Sequence, residues 1–379
     1  MLIILTSPSA IAPNGLPIPD VVAALVQCKK DGHPVGIVSN HSKPDWFDPA
    51  FGDSGVQFLQ ALARQNGAVI VQNAANLKLK PHDVIVLVAN QEDMQMAKNG
   101  GAVMAAAAWA GDKVTQGLGV LVKDPVEFLK VVKLTNDWSG AWWFSGNYGY
   151  GVRALADLSS MYGEADTQKI FAGKLKNTVK SGGPQLMALL TTTARSLLTE
   201  GVAGFENLLW GVYPSSKSLN NDTEVLSDFT HRLRTVSSRV RMAVKGEPLF
   251  IRHKASSKRS AGGGGDRTDP SEQIESIHLN PYYKKSGRLN GKHVVVIDDC
   301  TTYGVSFGVA AAFLLRAGAA GVTGVALGKF GNCLNAYKIE IGSDPFLPVK
   351  KGAYQKHPRL PFVGNSNLAA KTSLRKLIT

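Results

Sequence analysis

Short apolar runs alternate with amphipathic segments along the first 120 residues. Apolar runs of a few residues are typical of buried strands, whereas apolar residues spaced three and four apart are typical of helices. The alternation predicts an α/β domain with a parallel sheet and crossover helices. The predicted strands are residues 2–5, 34–38, 68–72, 84–89 and 102–106, and the predicted helices are residues 21–29, 58–65 and 92–99.

A second α/β pattern runs from residue 208 to residue 331 and predicts a second parallel sheet. The mostly helical spacing over residues 153–205 predicts a helical extension of this domain. Between its second and third strands, residues 254–290 contain four consecutive glycines, which cannot form a packed element and predict a mobile loop. The predicted strands are residues 208–213, 247–251, 293–297 and 322–327.

Two shifts in composition divide the chain further. Residues 121–150 are rich in Trp, Tyr and Gly, which favours a linker, and residues 341–379 carry many basic residues against the single acid Asp344. The predicted organisation is a first domain over 1–120, a linker over 121–150, a second domain over 151–340 and a basic tail over 341–379.

The net charge of +13 is unevenly spread, because the first 120 residues carry slightly more acidic than basic residues. Such asymmetry indicates either a half of the protein that meets phosphate, in a small molecule or a nucleic acid, or a solubilising surface. The three cysteines share no metal-ligand spacing and fit a reducing compartment. No apolar run approaches the roughly 20 residues that span a bilayer, so we expect a cytoplasmic protein without membrane contact.

The most informative segment is residues 294–306, VVVIDDCTTYGVS. An apolar strand leads into two carboxylates, a short polar turn and an apolar helix, an arrangement that places backbone N–H groups and a helix N-terminus around a phosphate. Asp298 and Asp299 can accept hydrogen bonds from a vicinal diol or bind hydrated Mg²⁺. The alternative is an ordinary strand–turn–helix unit with an acidic N-cap.

This segment resembles the thirteen-residue signature of type I phosphoribosyltransferases, which bind phosphoribosyl pyrophosphate (PRPP). The match lies at Asp298, Asp299, Thr302, Gly304 and Ser306, with departures at Thr301, where the family usually has an apolar residue, and at Tyr303, where it usually has Thr or Ser. The resemblance implies that the two acids act in catalysis and hold metal. The implied 5-phosphate contacts are Cys300, Thr301, Thr302, Tyr303, Gly304, Val305 and Ser306.

The resemblance extends in weaker form across residues 140–335. It implies a pyrophosphate loop, for which the candidates are Ser215, Ser216 and Lys217, although a plain surface turn is the alternative. It also implies a mobile loop over PRPP, where a solvated linker is the alternative, and an acceptor site after the strand at 322–327, where a core Phe is the alternative. The candidates are Lys254, Lys258, Arg259 and Arg267 for the mobile loop, and Lys329 and Phe330 for the acceptor.

The resemblance implies that a nitrogen nucleophile displaces pyrophosphate from PRPP with Mg²⁺ as cofactor. The acceptor could be a nucleobase, a nucleotide or a nucleic acid, and the basic half could meet a nucleic acid or a partner protein. Two other classes stay open, a PRPP- or nucleotide-sensing module without turnover and a nucleic-acid-binding scaffold. Oligomers are common in the family, but no feature of this sequence selects one.

The first 120 residues resemble a haloacid dehalogenase-like (HAD) domain whose chemistry is lost. The family needs an aspartate nucleophile and a second Asp two positions on, where this chain has Thr6 and Pro8. Ser39 and Asp93 match later motifs, Lys78 or Lys80 could stand for the motif lysine, and Ala89 replaces one acid. Without nucleophile and acids, no phosphoryl-aspartate forms and Mg²⁺ is poorly held. A transferase fused to such a domain suggests a specialised bacterial stress or phage-defence pathway, by analogy with the type I-like transferases that occur as effectors beside retrons.

Overall fold

The computed structural model describes every residue except Gly111, 160–164, 205–206, 238–245, 257–265, Asn332 and Thr379. The chain forms two compact units, both of the α/β class. The first unit comprises Met1–Gly140, Met187–Glu206 and Arg232–Arg241, and the second comprises Ala141–Leu186, Asn207–His231 and Met242–Thr379. Along the described residues, no helix is both long enough and apolar enough to cross a membrane.

The first unit is built on a six-stranded sheet in which every strand pair is parallel, in the order β3-β2-β1-β4-β5-β6. Its strands are β1 Ile3–Thr6, β2 Val35–Ser39, β3 Gln57–Gln60, β4 Val84–Val88, β5 Val103–Ala107 and β6 Val120–Val122. Its helices are α1 Pro8–Ile11, α2 Pro19–Lys30, α3 Phe47–Phe51, α4 Ala68–Asn76, α5 Gln91–Gly100, α6 Lys113–Gln116 and α7 Pro125–Asp137.

Strands β1, β2, β4 and β5 are buried along their whole length, which explains why they are continuous apolar runs without alternation. Several helices begin at a residue suited to that position. The Asn90 side chain accepts a hydrogen bond from the Asp93 N–H at the start of α5, and the Asp124 side chain caps α7. The predicted parallel α/β sheet is therefore confirmed for this part of the chain.

Two elements of the first unit differ from the sequence prediction. Residues 68–72, predicted as a strand, open helix α4, because Val69, Ile70 and Ala74 are buried at helical spacing while Val71 is exposed. Residues 58–65, predicted as a helix, begin with the last three residues of β3, an edge strand that pairs with β2 and is partly exposed. Short apolar segments fit both periodicities, and tertiary packing decided between them.

The second unit contains a six-stranded mixed sheet in the order β18-β7-β8-β13-β12-β9. Strands β8, β13, β12 and β9 run parallel, whereas β7 runs antiparallel to β8 and to β18. Three two-stranded sheets, β10-β11, β14-β17 and β15-β16, accompany it. The strands of the second unit are β7 Phe144–Asn147, β8 Gly151–Asp157, β9 Leu208–Val212, β10 Phe250–Arg252, β11 Ile277–Leu279, β12 His293–Thr301, β13 Gly321–Lys329, β14 Asn335–Ala336, β15 Ile339–Ile341, β16 Tyr354–Lys356, β17 Leu360–Pro361 and β18 Gly364–Ser366.

The remaining helices are distributed over both units. Helix α9 lies almost entirely in the first unit, and the last turns of α10 also belong to it. These helices are α8 Asp166–Ser181, α9 Leu186–Thr199, α10 Val225–Ser237, α11 Ser271–Ile274, α12 Val305–Arg316 and α13 Leu368–Ile378. Strand β8 was not predicted, because residues 153–205 were assigned a mostly helical pattern.

The segments predicted as linker and tail are built into the compact units. Helix α7 buries Phe128 and Val131 in the first unit, and β7 is part of the second sheet. The segment 341–379 contributes β18 and α13 and buries Phe346 and Leu374. Its apolar residues pack on the second unit, although its charge alone indicated a free arm.

Candidate functional site

A cavity of about 1790 Å³ lies in the second unit at the carboxyl ends of β9, β12, β13 and β8. This is the edge of a parallel sheet at which α/β proteins bind ligands. Its volume exceeds the roughly 300–1,000 Å³ of an ordinary ligand pocket. The cavity therefore has room for more than one small molecule.

Residues 298–306 line this cavity together. Strand β12 extends to Thr301, four residues beyond the predicted end. Its pairing with β9 ends at Ile297, so the last four residues of β12 extend past β9. Helix α12 then begins at Val305. Gly304 has φ +82°, and a Cβ there would lie 2.9 Å from Leu334 Cδ1, so the tight turn requires glycine.

The two carboxylates are held by the backbone of their own loop. Asp298 Oδ1 accepts the Asp299 N–H at 2.9 Å, and Asp299 Oδ1 accepts the Cys300 N–H at 2.5 Å. Burial, followed by the charge of Asp299, raises the pKa of Asp298 to about 8. Burial and the two acids raise the pKa of the Cys300 thiol well above its usual range, so Cys300 is not a thiolate nucleophile.

The predicted pyrophosphate loop lies beside these carboxylates, and Ser215, Ser216 and Lys217 all line the cavity. The Ser215 hydroxyl donates to Glu224 Oε1 at 3.2 Å, and the Ser216 carbonyl oxygen accepts the Ser256 N–H at 3.1 Å. The structure therefore brings the two sequence-predicted loops to one cavity.

Arg252 also lines the cavity, although the sequence did not predict it as a site residue. Its side chain is 5% exposed, and its guanidinium donates to Pro214 O at 3.1 Å, to Gln273 Oε1 at 3.0 Å and to Ser276 Oγ at 2.8 Å. Burial lowers its pKa from the usual arginine value. The only sequence signal was an arginine directly after the predicted strand 247–251. Arg252 both fixes the loop at Pro214 and brings positive charge to the cavity wall.

The predicted mobile-loop residues have different positions. Arg267 lines the cavity, and its guanidinium carbon lies 5.8 Å from the centre of the Tyr303 ring. Lys254 is exposed and is not part of the cavity lining. Lys258 and Arg259 lie outside the described residues. Tyr303, the departure from the family signature, thus contacts the segment that follows the glycine run.

The two predicted acceptor residues, Lys329 and Phe330, also have different environments. Phe330 lines the cavity, whereas Lys329 is fully buried outside it, with its ammonium group 5.4 Å from the Trp143 ring and 5.5 Å from the Phe144 ring. Lys329 donates a hydrogen bond to the Gly331 carbonyl oxygen, and burial lowers the Lys329 pKa to about 8. The Lys329 side chain points into the core, so the prediction that it contacts an acceptor is not supported. Trp143, Asp157 and Lys371 line the same cavity as Phe330.

A second polar cluster lies at the carboxyl ends of β1 and β4 in the first unit. Asp93 is completely buried, and its Oδ2 accepts the Ser7 hydroxyl at 2.7 Å and the Ala89 N–H at 2.9 Å. Its Oδ1 is paired with Arg64, which also contacts Glu92 at 3.0 Å. No local pattern in the sequence indicated a role for Arg64.

The remaining HAD-motif candidates lie elsewhere. Ser39 is buried at the end of β2, where its hydroxyl accepts the His41 N–H at 3.0 Å. Lys78 and Lys80 are exposed. The cation that neutralises Asp93 is therefore Arg64 rather than one of the predicted lysines.

Asp298 and Asp299, the predicted metal ligands, are adjacent acidic residues that both line the cavity. Within the part of the chain that the structure describes, no group of three or more His, Cys, Asp or Glu side chains is placed to hold a metal ion. Mg²⁺ commonly binds through one or two carboxylates, with substrate phosphates and water completing its octahedron. The pair fits an ion that arrives with a phosphorylated substrate, not a permanently held one.

Comparison with known proteins gives no relative. No protein-family model, no curated protein and no solved structure matches this chain. The chemistry of the cavity is therefore argued from its own residues.

Proposed function

We propose that this protein is a phosphoribosyltransferase that uses PRPP, with the second unit as a type I-like catalytic domain. The observation that carries the proposal is the adjacent pair Asp298–Asp299, which lies near the end of β12, just before the turn that requires Gly304 and leads to α12. Two acids beside a phosphate-binding turn suit a ligand that has both hydroxyl groups and a phosphate.

Different residues of the cavity would contact the 5-phosphate, the ribose and the pyrophosphate of PRPP. Backbone N–H groups of the turn and the α12 N-terminus, with the hydroxyls of Thr301, Thr302 and Ser306, would hold the 5-phosphate. Asp298 and Asp299 would accept hydrogen bonds from the ribose diol. Ser215, Ser216 and Lys217 line the same cavity, where they can meet the pyrophosphate.

Positive charge near the pyrophosphate comes from three elements. Lys217 follows β9, Arg252 ends β10 and Arg267 follows the glycine run, and all three line the cavity. When bound, Mg²⁺ would add charge neutralisation at the carboxylate pair. This cluster offsets the charge that builds on the leaving group.

The reaction would be a displacement at the anomeric carbon. The bond from C1 to the pyrophosphate oxygen breaks, its electron pair leaves with pyrophosphate, and a nitrogen lone pair forms the new bond to C1. The negative charge that the Asp298–Asp299 pair shares would favour the positive charge that develops on the ribose. Arg252 keeps the Pro214 loop in place, so that the leaving group and the ribose are held in fixed relation.

For the first unit we propose a degenerate HAD-like domain without phosphatase chemistry. Thr6 ends strand β1 and Pro8 begins helix α1 at the positions where that family needs its acids, and Asp93 is already neutralised by Arg64. A buried ion pair that satisfies Asp93 leaves it unsuited to hold Mg²⁺. The cellular pathway stays a prediction.

The double substitution Asp298→Asn with Asp299→Asn tests the function. We expect PRPP binding, measured by calorimetry with Mg²⁺, to weaken at least tenfold, because both diol and metal ligands lose their charge. The exposed Asp166→Asn on α8 is the matched control and should bind PRPP normally. Unchanged PRPP binding in the double variant would rule the assignment out, whereas PRPP binding without pyrophosphate release with any acceptor would favour a sensor.

A further inference from the structure

The carboxyl ends of β13 and β8 lie two and three strands away from β9 in the six-stranded sheet. Neighbouring strands are spaced about 4.8 Å apart. If the pyrophosphate lies at β9 and the ribose at β12, the incoming nucleophile must approach from the side of β13 and β8. The residues that line this side should therefore recognise the acceptor.

Asp157 is the last residue of β8 and is 4% exposed. Its Oδ1 accepts the Ser159 N–H at 2.9 Å, and its Oδ2 is 2.7 Å from the ammonium nitrogen of Lys371. Both side chains line the cavity. They present a hydrogen-bond acceptor and a donor side by side, with no net charge.

Helix α13 holds Lys371 in this position. The Asn367 N–H donates to the Trp143 carbonyl oxygen at 2.7 Å, and the Asn367 side chain caps the helix at the Ala370 N–H. Ala370 and Leu374 are buried against the unit. Lys371 therefore lies on a helix that packs against the second unit and not on a free tail.

Trp143 supplies a second, independent observation. It lines the cavity and is 2% exposed, yet its indole Nε1–H has no hydrogen-bond partner among the described residues. An unpaired buried donor is unfavourable unless a ligand satisfies it. A ligand atom that accepts this hydrogen would remove the penalty.

We propose that Asp157, Lys371 and Trp143 form the acceptor subsite and select a planar heterocycle with a ring amide, in which an N–H lies beside a C=O. This inference rests on the proposed transferase function and names its substrate class. Asp157 accepts the ring N–H, and Lys371 and Trp143 donate to the carbonyl oxygen. Two donors favour a carbonyl oxygen, which has two lone pairs, over the ring nitrogen of an aminopurine, which has one.

The neutral ion pair also disfavours other acceptors. A carboxylated base would place its charge against Asp157, and a cationic amine would place its charge against Lys371.

In the transfer, a ring nitrogen forms the bond to C1 and the C1–O electron pair leaves with pyrophosphate. The proton on that nitrogen passes to water.

The test uses the full chain with PRPP and Mg²⁺ and follows pyrophosphate release. Hypoxanthine, guanine and uracil carry a ring amide, while adenine is the aminopurine comparator and orotate the carboxylated one. We expect release with at least one ring-amide base and at least tenfold lower kcat/KM with adenine. Orotate should also react at least tenfold more slowly than the best ring-amide base.

Three variants separate acceptor recognition from folding. Asp157→Asn and Lys371→Met should raise the KM for the acceptor at least tenfold and leave the KM for PRPP unchanged. Trp143→Phe, which keeps a ring but loses the donor, should raise the acceptor KM severalfold. Lys376→Met, on the exposed side of α13, is the control and should change neither constant.

The possible outcomes distinguish the acceptor subsite from the underlying PRPP recognition. Normal PRPP binding with preference for adenine, or with no reaction at all, would overturn the ring-amide subsite and leave PRPP recognition standing. A preference for orotate, which carries the same ring amide as uracil, would overturn the exclusion of carboxylated acceptors. Equal KM increases for PRPP and acceptor would show a merely structural role for Asp157 and Lys371. Absence of PRPP binding to the unaltered protein would remove both proposals.

Discussion

Lys329 is fully buried, and its ammonium group lies against Trp143, Phe144 and the Gly331 carbonyl oxygen. Two other buried charges have direct ionic partners, since Asp93 is paired with Arg64 and Asp157 with Lys371. Aromatic rings and a carbonyl dipole compensate the loss of water less completely than an opposite charge does. Lys329 therefore costs stability while it is protonated.

The pH dependence of stability should reveal this cost. The Lys329 pKa of about 8 lies below its ordinary value of 10.5, so the native state binds fewer protons than the unfolded state between those pH values, and stability rises with pH there. Below pH 8 the full cost applies, and a shift of this size corresponds to about 3 kcal/mol.

Lys329→Met should accordingly raise the free energy of unfolding near pH 7, and the gain should shrink toward pH 10. Urea denaturation at both pH values measures it, with the exposed Lys351→Met as the control. A loss of stability near pH 7 in Lys329→Met would contradict the argument.

At the scale of elements, the sequence predicted best what is local. The strand, turn and helix over residues 294–306 lie within one short segment, and all its polar residues reach the cavity. Asp157, Arg252 and Lys371 come from three separate parts of the chain, and no local pattern indicated that they meet. Strand β3 and helix α4 were exchanged in the prediction because an edge strand and a short half-exposed helix give similar apolar patterns.

Helix α12 depends on glycine for its close packing. A Cβ at Gly308 would lie 2.5 Å from Tyr337 Cβ, whereas a Cβ at Gly173 on α8 would meet nothing within 4 Å. Gly308→Ala should therefore lower the free energy of unfolding by about 1–3 kcal/mol. It should also weaken PRPP binding, because α12 must shift.

Gly173→Ala is the matched control, and it should stabilise by about 0.5–1 kcal/mol through helix propensity. Thermal unfolding and PRPP calorimetry measure both variants. Equal effects of the two substitutions would show that packing at Tyr337 does not restrain α12.

At the scale of the whole molecule, the first unit is assembled from three stretches of chain. Helix α9 brings Ser196, whose hydroxyl accepts the Trp138 indole N–H at 2.9 Å, and Arg195, which pairs with Asp83 at 2.5 Å. The sequence did not predict this, because a cut near residue 120 follows the change in composition, whereas packing depends on residues distant in the chain.

A fragment of residues 1–140 should therefore fail to fold on its own. Trp138 is fully buried in the complete unit and would be exposed in the fragment. We expect a broad thermal transition without cooperativity by circular dichroism, compared with the full chain under the same conditions. A sharp, reversible transition in the fragment would show that the added stretches are dispensable.

The three-part first unit also has a consequence for the order of events during protein synthesis. The ribosome releases the amino end first, but the first unit lacks its last stretch until residue 241 has left the exit tunnel. By then β7, β8 and β9 of the second unit are already outside. The nascent chain must therefore keep the surface around Trp138 exposed for 58 residues of elongation, until Ser196 emerges, which makes this stretch a natural binding site for chaperones.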